Sequence, residues 1–380
     1  MQLFGTIGIE QGPAEAMLCM DTDRPHEMMI QWWHNDVTPK GVLASCSLGE
    51  SDDLILRPKI LYHVDQGLGL IAPPKLSTED FERLHKHSAV LKRDGDGLKG
   101  TWRYEGQDRG NIEFQPRPRA NRISSTYCTT WQDFKDWAAL AKNDHQAYVF
   151  RGHGSSDFRL ETTLHRAGRH RLERFCSETI PQFRGHAEAV LGERIDLNHG
   201  DDYSMLLGLA QHHGLPTPLL DWTYSPYIAA FFAFSDALEW QHARSYTKNV
   251  RIFGMTEEYI KSYTGMVKLP YIKPYICPLQ ISPRNNPRLY AQQGIFLVTN
   301  IDDIESFILE IELKNQKTIL FSADIPISCA KEALEDLRYM GLTPATLFPG
   351  LDGVCRTLKQ EMTLNNKIAD SVADTPVIAP

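Results

Sequence analysis

The sequence has few cysteines and no long apolar segment. Its 380 residues include 7 cysteines, no two of them within four residues of each other, which disfavours a zinc knuckle and a disulfide framework. The longest purely apolar run, 228–234, is far shorter than the ~20 residues of a membrane-spanning helix. The first residues show no basic segment followed by an apolar one. We therefore expect a cytoplasmic protein with no membrane partner.

Several familiar catalytic and nucleotide-binding motifs are also missing. The chain contains no G-x-x-x-x-G-K-[ST] loop, no G-x-G-x-x-G after a strand, no G-x-S-x-G elbow and no H-E-x-x-H motif. Acidic residues outnumber basic ones by 48 to 40, which argues against a polybasic membrane protein or a duplex-coating protein. Binding of phosphate or of a single strand at one basic face is compatible with this composition.

Residues 1–115 have the patterning of a β-rich domain. Apolar and polar residues alternate over 98–105, and the alternation resumes at Ile112 after a glycine-containing turn, which predicts a hairpin. Further predicted elements are strands at 28–33 and 54–64 and a helix at 78–87 that begins after Ser77. We predict a small antiparallel barrel or sandwich.

A segment rich in proline and arginine, 116–127, is predicted to link this domain to a second one. Its prolines disfavour the interior of helices and strands, and its arginines, Arg117 among them, should keep it in solvent. The second domain, 128–362, opens with a helix that Thr130 caps, and strands and helices then alternate. The fold class is therefore α+β, and the small, polar residues 363–380 are expected to form a flexible tail.

The first candidate functional pattern lies at the end of a predicted strand. Arg151 follows apolar residues directly and precedes Gly152, His153 and a second glycine. An arginine at this place presents five donors in a fixed fork that suits phosphate or carboxylate, and glycine lets backbone approach a ligand closely. The competing interpretation is an ion pair in which Arg151 closes the strand.

The second pattern ends a helix that begins at about residue 203. His212 and His213 occupy the last turn, and Gly214 follows as the C′ residue. Histidines at a helix C-terminus are favoured by the helix dipole. The two residues are adjacent and lack the i, i+4 spacing of a helical metal pair, so no metal site is predicted.

The third pattern begins a helix. Ser225 and Pro226 form a good N-cap and N1 pair, and Asp221 and Thr223 precede them in a turn that their side chains can stabilise. A helix N-terminus also offers free N–H groups and a positive dipole end to a ligand. The capping and the ligand-binding interpretations are compatible with each other.

Two amides form the fourth pattern. Gln292 and Gln293 stand directly before a glycine and an apolar run that should be a buried strand. A buried amide without partners costs on the order of 1–3 kcal/mol, so each glutamine needs a specific partner, either backbone or ligand.

An arginine-rich stretch, 159–174, carries an excess of three positive charges. By default it is a solvated helix face. The sharper hypothesis is a phosphate-facing patch for a nucleotide or single-stranded RNA.

At the four patterns the chain resembles the FRG-domain family, which is named for its Phe-Arg-Gly motif. The matching segments follow in the family's order and are Phe150-Arg151-Gly152, 210–217, 219–223 with Ser225-Pro226, 292–296 and 346–353. The resemblance covers roughly 128–362, whereas 1–115 lies outside it. Pro218 departs from the family, which more often has arginine there.

The spacing also resembles that of the R-S-E type of ADP-ribosyltransferases, which implies a mixed α/β domain of that type. In that fold an arginine grips the dinucleotide phosphates, an S/T-x-S segment lines the nicotinamide and ribose pocket, and a glutamate stabilises the cationic transition state. The resemblance assigns these catalytic roles to Arg151, to Thr223 and Ser225, and to Gln292 or Gln293. It assigns the binding of NAD to Arg151, Gly152, His153, His213, Asp221, Thr223 and Ser225.

The third catalytic position departs from the transferase pattern. A glutamine brings no negative charge to a cationic transition state, and removal of such a group often costs ~10²–10³ in rate. Three alternatives follow. A carboxylate comes from elsewhere, such as Glu310 or Glu312 on a predicted strand at 308–313; the reaction tolerates an amide; or the site binds without turnover.

The resemblance implies an NAD-dependent toxin or phage-defence effector that transfers ADP-ribose to RNA, DNA or protein. An antitoxin or inhibitor protein is then an expected partner, and residues 1–115 would bind it or the target. Two other functions stay open: a non-catalytic module that binds a nucleotide or a nucleic acid, and a hydrolase such as an NAD hydrolase.

Overall fold

Two β-sheets organise the chain. The computed structural model describes residues 1–35, 37–49, 53–64, 69–71, 77–118, 123–144, 146–241, 248–262, 269–281 and 286–373. The strands of the first sheet are β1 (Gln2–Ile9), β2 (Gly12–Cys19), β3 (Glu27–His34), β4 (Val37–Leu48), β5 (Leu54–Val64), β6 (Leu70–Ile71), β7 (His87–Asp94), β8 (Gly97–Tyr104) and β9 (Gln107–Gln115).

The first sheet closes into an antiparallel barrel. Its order is β4-β3-β2-β1-β9-β8-β7-β5, and β4 pairs with β5 to complete the ring, while β6 adds to β5. The prediction of a barrel or a sandwich is thus confirmed as a barrel. Alternating apolar residues on every strand fill the interior, with Leu18, Leu91 and Phe114 fully buried. The helix α1 (Thr78–His85) begins as predicted, since the Ser77 hydroxyl accepts from the Asp80 amide.

The second sheet is mixed. Its strands are β10 (Ser125–Tyr127), β11 (Ala147–His153), β12 (Leu219–Thr223), β13 (Asn249–Thr256), β14 (Ile276–Leu279), β15 (Gly294–Thr299) and β16 (Leu320–Pro326), in the order β10-β16-β13-β11-β12-β15-β14. Its helices are α2 (Trp131–Asp144), α3 (Thr163–Arg166), α4 (Leu172–Arg174), α5 (Ile180–Leu191), α6 (Gly200–His212), α7 (Pro226–Gln241), α8 (Glu257–Ser262), α9 (Pro287–Ala291), α10 (Ile304–Asn315), α11 (Ala330–Tyr339), α12 (Pro344–Leu347) and α13 (Leu351–Ala373). Together the two sheets give an α+β fold.

Apolar helices cover both faces of this sheet. On one face α7 packs over β11 and β13, and its residues Ile228 and Phe234 are fully buried beside Trp131 and Phe134 of α2. The predicted N-cap of α2 is confirmed, because the Thr130 hydroxyl accepts from the Asp133 amide at 3.1 Å. On the other face, α10 packs against β13 and β15. Because α7 is enclosed on several sides, its sequence is expected to be apolar nearly all round.

Three predictions about chain organisation require correction. Residues 125–127 of the predicted linker form β10, because they pair in parallel with the sheet edge at β16. The predicted strand at 308–313 is part of α10, since its alternation is short and Asp303 caps a helix there by accepting from the Ser306 amide. The helix α13 continues to Ala373, through part of the predicted tail, because 363–373 contains no proline or glycine that would end it.

The barrel packs against the second sheet through an apolar patch and a network of ion pairs. Outward-facing barrel residues such as Met17 and Met29 pack with Ile272 and Ile301. Beside them Arg174 contacts Asp21 at 2.9 Å. The remaining pairs of the network, on or beside the arginine-rich stretch, are Arg174–Asp23, Arg174–Glu178, Arg171–Glu27, Arg171–Glu173, Arg169–Asp23 and Arg159–Asp303.

This network corrects both interpretations of the arginine-rich stretch for its two buried arginines. Arg171 and Arg174 are buried, at 4% and 7% exposure, and they neutralise barrel carboxylates. They are neither a solvated helix face nor a patch for phosphate. Arg117 of the predicted linker is likewise enclosed rather than solvated, with a side chain that is 9% exposed. Arg119 and Arg122 lie outside the described residues.

In the part of the chain that the structure describes, no helix combines the length and the apolar character needed to cross a bilayer.

Candidate functional site

A cleft of about 370 Å³ lies where three neighbouring strands of the second sheet meet α7 and α9. The register brings Phe150 of β11 beside Thr223 of β12, and Thr223 beside Gly294 of β15. The sequence patterns before and after these strands therefore converge on one place. The polar residues that line the cleft are Arg151, Gln211, His212, Asp221, Thr223, Asp236, Asn286, Arg288 and Gln292.

Arg151 is held in the wall of the cleft by neutral groups. Its Nε donates to His153 Nε2 at 3.1 Å, and its Nη1 donates to the Asp221 backbone carbonyl. The Asp221 carboxylate lies 4.0 Å from Nη1, and the arginine side chain is 17% exposed. Nη2 has no hydrogen-bond partner among the described residues, so at least its two N–H groups remain for a ligand.

The surroundings of Arg151 weaken its protonated form. Burial lowers the pKa of Arg151, the Asp221 carboxylate opposes that effect to a lesser extent, and the charge of Arg166 adds to the lowering by less again. Exposed Arg166 on α3 thus contributes positive potential to this region. An anion bound to Arg151 would relieve an unfavourable burial of charge.

His153 lies behind Arg151, away from the cleft. Its side chain is buried, and burial lowers its pKa well below the ordinary range, with the Arg151 charge as the next cause. The ring is therefore neutral, and because Nε2 accepts from Arg151 its proton is on Nδ1. His153 is thus absent from the cleft lining, and its predicted role in binding NAD stays a prediction. The residue positions Arg151.

A chain of hydrogen bonds fixes Asp221. Gln211 of α6 donates through Nε2 to Asp221 Oδ2 at 2.7 Å, and its Oε1 accepts from the Thr217 hydroxyl. Thr217 in turn accepts from the Leu219 amide at 3.2 Å. The end of α6 and the start of β12 are tied together in this way, and the carboxylate is oriented toward Arg151.

Gly152 sets the distance between β11 and α7. A Cβ atom at Gly152 would lie 1.9 Å from the Ala229 carbonyl oxygen, which is far inside contact distance. The glycine after Arg151 is therefore required by the close packing of a helix on the strand. Gly152 also lines the cleft, so its predicted approach to a ligand stays a prediction for the side that α7 does not cover.

Backbone contacts lock the glutamine pair to β12. The Thr223 hydroxyl donates to the Gln292 carbonyl at 2.8 Å, and the Tyr224 amide donates to the Gln293 carbonyl at 3.0 Å. The Gln292 side chain lines the cleft and donates through Nε2 to the Leu347 carbonyl at 3.0 Å. Its Oε1 has no donor within the described ranges, so a ligand hydroxyl could reach it.

Three other predicted site residues are not in the cleft lining. Ser225 serves as the N-cap of α7, accepting from the Ile228 amide at 3.3 Å. Gln293 adopts φ +46° and its side chain is exposed, so the chain turns it away from Gln292. His213 is exposed at the C-cap of α6, as the capping interpretation predicted, and its neighbour His212 lines the cleft instead.

Sequence reasoning missed the far wall of the cleft. Arg288 of α9 stacks over the Phe348 ring at 5.3 Å and pairs with Asp352 at 2.6 Å. Arg356 of α13 stacks over the same ring at 4.4 Å. The 346–353 segment of the family resemblance was the available signal, since it contains both Phe348 and Asp352 and was given no role.

Two carboxylates of the described residues, Asp221 and Asp236, line the cleft. Glu310 and Glu312, the expected alternatives, are elsewhere. Glu310 pairs with Arg117 at 3.3 Å, and Glu312 accepts from the Leu320 amide at 2.8 Å. Across the described ranges, His, Cys, Asp and Glu form no group of three or more that could hold a metal ion.

Comparison with known proteins supports one part of the resemblance. Residues 146–242 match the family model of the FRG domain, a segment that contains Arg151, Gln211, Asp221 and Thr223. No curated protein and no solved structure matches the chain. The FRG resemblance is thus confirmed over that segment, and the resemblance to ADP-ribosyltransferases stays a prediction.

Proposed function

We propose that the cleft binds NAD and that the protein transfers ADP-ribose from it to a macromolecule. The observation that carries the proposal is the state of Arg151, a largely buried arginine whose Nη2 has no hydrogen-bond partner in the described parts of the chain and which lines the cleft together with Thr223 and Gln292. A guanidinium with two donors available in a low-dielectric wall is suited to a diphosphate.

The cleft has further features that a dinucleotide requires. Its apolar lining includes Phe150, Phe232, Phe296 and Phe348, which offer surface to an aromatic base. Its volume of about 370 Å³ is within the range of sites that enclose small ligands, ~300–1,000 Å³.

In the proposed reaction the bond between nicotinamide and ribose C1′ breaks. Both electrons leave with the ring nitrogen, which becomes neutral, and positive charge develops on the ribose. A nucleophilic oxygen or nitrogen of the acceptor then forms a bond to C1′ and loses its proton to a base. Asp221 and Asp236 are the candidate bases, and Gln292 Oε1 would accept from a ribose hydroxyl.

Labelled NAD tests this proposal directly. Wild-type protein is incubated with cell extract and NAD labelled in the adenylate phosphate, and the macromolecular fraction is counted. We expect label in RNA, DNA or protein, and its loss in Arg151→Ala. Arg109→Ala, an exposed arginine of the barrel, is the matched control and should retain full activity. Equal labelling by the two variants would refute the role of Arg151.

The amide at Gln292 favours a second candidate, a module that binds a nucleotide or nucleic acid without turnover. A neutral amide does not stabilise a cationic transition state as a carboxylate does. Binding of NAD by the wild type without transfer of label would support this module. If Gln292→Glu then gained transfer activity, the site would be a transferase site that lacks its carboxylate. Release of nicotinamide without a labelled acceptor would indicate an NAD hydrolase.

A role as a toxin or defence effector rests on the same activity. We expect expression in bacteria to stop growth with the wild type and not with Arg151→Ala. Equal accumulation of both proteins is the necessary control. An inhibitor protein would be recognised because its coexpression restores growth.

A further inference from the structure

A second cavity, of about 970 Å³, lies at one end of the barrel. All eight strands that close the barrel reach it from the same end, and the second domain covers it on another side through Arg159, Leu160 and the pair Asp302–Asp303. None of its lining residues lines the cleft of Arg151. It is therefore a separate space, built jointly by the two domains.

Two arginines at this cavity have buried donors without acceptors. The Arg117 side chain is 9% exposed, and its Nε lies 3.3 Å from Glu310 while its guanidinium stacks over Phe4 at 4.1 Å. Arg117 Nη1 and Arg159 Nη1 are both buried, and neither has a hydrogen-bond partner in the described structure. Arg159 Nη1 is 3.6 Å from Asp303, longer than a hydrogen bond.

The two adjacent acids that line the cavity are already engaged by protein groups. Asp303 caps α10, accepting from the Ser306 amide at 3.2 Å and from its hydroxyl at 2.7 Å. Asp302 accepts from the Asp303 amide at 2.7 Å and lies 3.6 Å from His170. Neither acid accepts a hydrogen bond from the Nη1 group of Arg117 or Arg159. A buried donor of a charged group that lacks an acceptor destabilises the folded protein.

The other part of the lining is apolar. Met20, Met28, Leu54 and Leu98 come from four different strand ends of the barrel. Methionine adapts its shape to irregular ligands, and the leucines continue the apolar interior of the barrel to the cavity. Small barrels of eight strands have room for one small ligand at most. The cavity thus combines an apolar wall with two cationic donors.

We propose that this cavity binds one amphipathic anion, with its carboxylate or phosphate head between Arg117 and Arg159 and its apolar chain along the methionines and leucines. The anion accepts hydrogen bonds from the two Nη1 groups, which the protein itself does not satisfy. Binding here does not depend on NAD or on the proposed transfer reaction.

Calorimetric titration of the full chain tests the proposal. Decanoate and decyl phosphate, each below its micellar concentration, are the two anionic probes, and decanol is the neutral one. We expect at least one anion to bind with a stoichiometry of one, and decanol to bind about tenfold more weakly or worse. The comparison of the two anions shows which head group the site prefers.

Variants locate the bound anion. Arg117→Gln and Arg159→Gln should each weaken binding about tenfold, whereas Arg57→Gln, an exposed arginine of the same barrel, should leave it unchanged. Leu54→Trp fills the cavity from its apolar side and should abolish binding while retaining both arginines. Thermal unfolding of each variant confirms that it is folded.

Three results would overturn the proposal: neither anion binds the wild type, decanol binds as tightly as the anions, or Leu54→Trp and both glutamine variants bind like Arg57→Gln. If the wild type binds the anion but transfers no label from NAD, only the proposed transferase function is refuted.

Discussion

Arg174 and Arg151 are both largely buried arginines of the second domain, but their surroundings differ in kind. Arg174 contacts three carboxylates, from Asp21, Asp23 and Glu178, at 2.7–3.0 Å. Hydrogen bonding to Asp23, despite some burial, raises its pKa. Arg151 contacts a neutral imidazole and a backbone carbonyl, its closest carboxylate contact is at 4.0 Å, and burial lowers its pKa.

The difference shows how a buried cation can be classified. A guanidinium that protein carboxylates neutralise, such as that of Arg174, uses its charge and its N–H groups to hold the two domains together. A guanidinium that neutral groups hold in place, such as that of Arg151, keeps its charge and some of its N–H donors available for a ligand. We therefore interpret Arg174 as structural and Arg151 as ligand-binding.

The largest expected effect is on the domain interface. Arg174→Met should lower the free energy of unfolding by about 3 kcal/mol or more, because it leaves Asp21, at 1% exposure, without its cation. Urea unfolding measures the change. The matched control is Arg103→Met, which removes the exposed pair with Asp108 and should cost under about 1 kcal/mol. Equal losses in the two variants would contradict the distinction.

A smaller loss of stability is expected from Gly152→Ala. The added methyl would collide with the Ala229 carbonyl and force α7 away from β11, at a cost of ~2–3 kcal/mol and with loss of ligand binding in the cleft. Gly185→Ala, in α5, has open space around its Cβ and should stabilise by up to about 1 kcal/mol. Thermal unfolding measures the stability of both variants. A Gly152→Ala variant as stable as the wild type would mean that α7 can shift on β11 without loss of stability.

Arg151→Met should change stability least among the core substitutions, by under about 1 kcal/mol, because a charge paired mainly with neutral groups contributes little to folding. Binding of the ligand should nevertheless be lost. A calorimetric titration with NAD combined with urea unfolding gives both numbers. A loss of stability as large as that of Arg174→Met would identify Arg151 as structural and would end the proposal for the cleft.

The smallest effect concerns acid stability at the interface. Hydrogen bonds from Lys59 and then Arg171 lower the pKa of Glu27 from about 4.5 to about 2. A folded-state pKa below the unfolded value contributes stability that is present above the unfolded pKa and is lost as the pH falls from about 4.5 toward about 2. Unfolding of Glu27→Gln should therefore depend less steeply on pH in that window. Exposed Glu10→Gln should leave the slope of the wild type unchanged.

Local patterns in the sequence predicted much of the framework. The bounds of β5, the caps of α1 and α2, and the glycine that ends α6 depend on residues within a few positions of each other. The ladder that aligns Phe150, Thr223 and Gly294 is consistent with the four patterns being one site. Short-range rules are sufficient for such features because the partners are adjacent in the chain.

The predictions that failed depend on information that a local sequence pattern does not contain. Arg174 finds two of its three carboxylates, Asp21 and Asp23, about 150 residues earlier in the chain, which composition alone did not indicate. Glu310 and Glu312 were placed on a strand because a short apolar alternation fits either element. Gln292 and Gln293 could not be distinguished until the positive φ of Gln293 was known.

The contact of Gln2 with the second domain has a consequence for modularity. Its amide donates to the Asn300 carbonyl at 2.7 Å and accepts from the Asp302 amide at 3.1 Å, so a barrel residue completes the backbone of a loop in the other unit. The second domain expressed without the barrel would leave these backbone groups of the loop without their partner. A protein in which an unrelated domain replaces the barrel, by engineering or by gene fusion, needs an equivalent side chain at the domain interface.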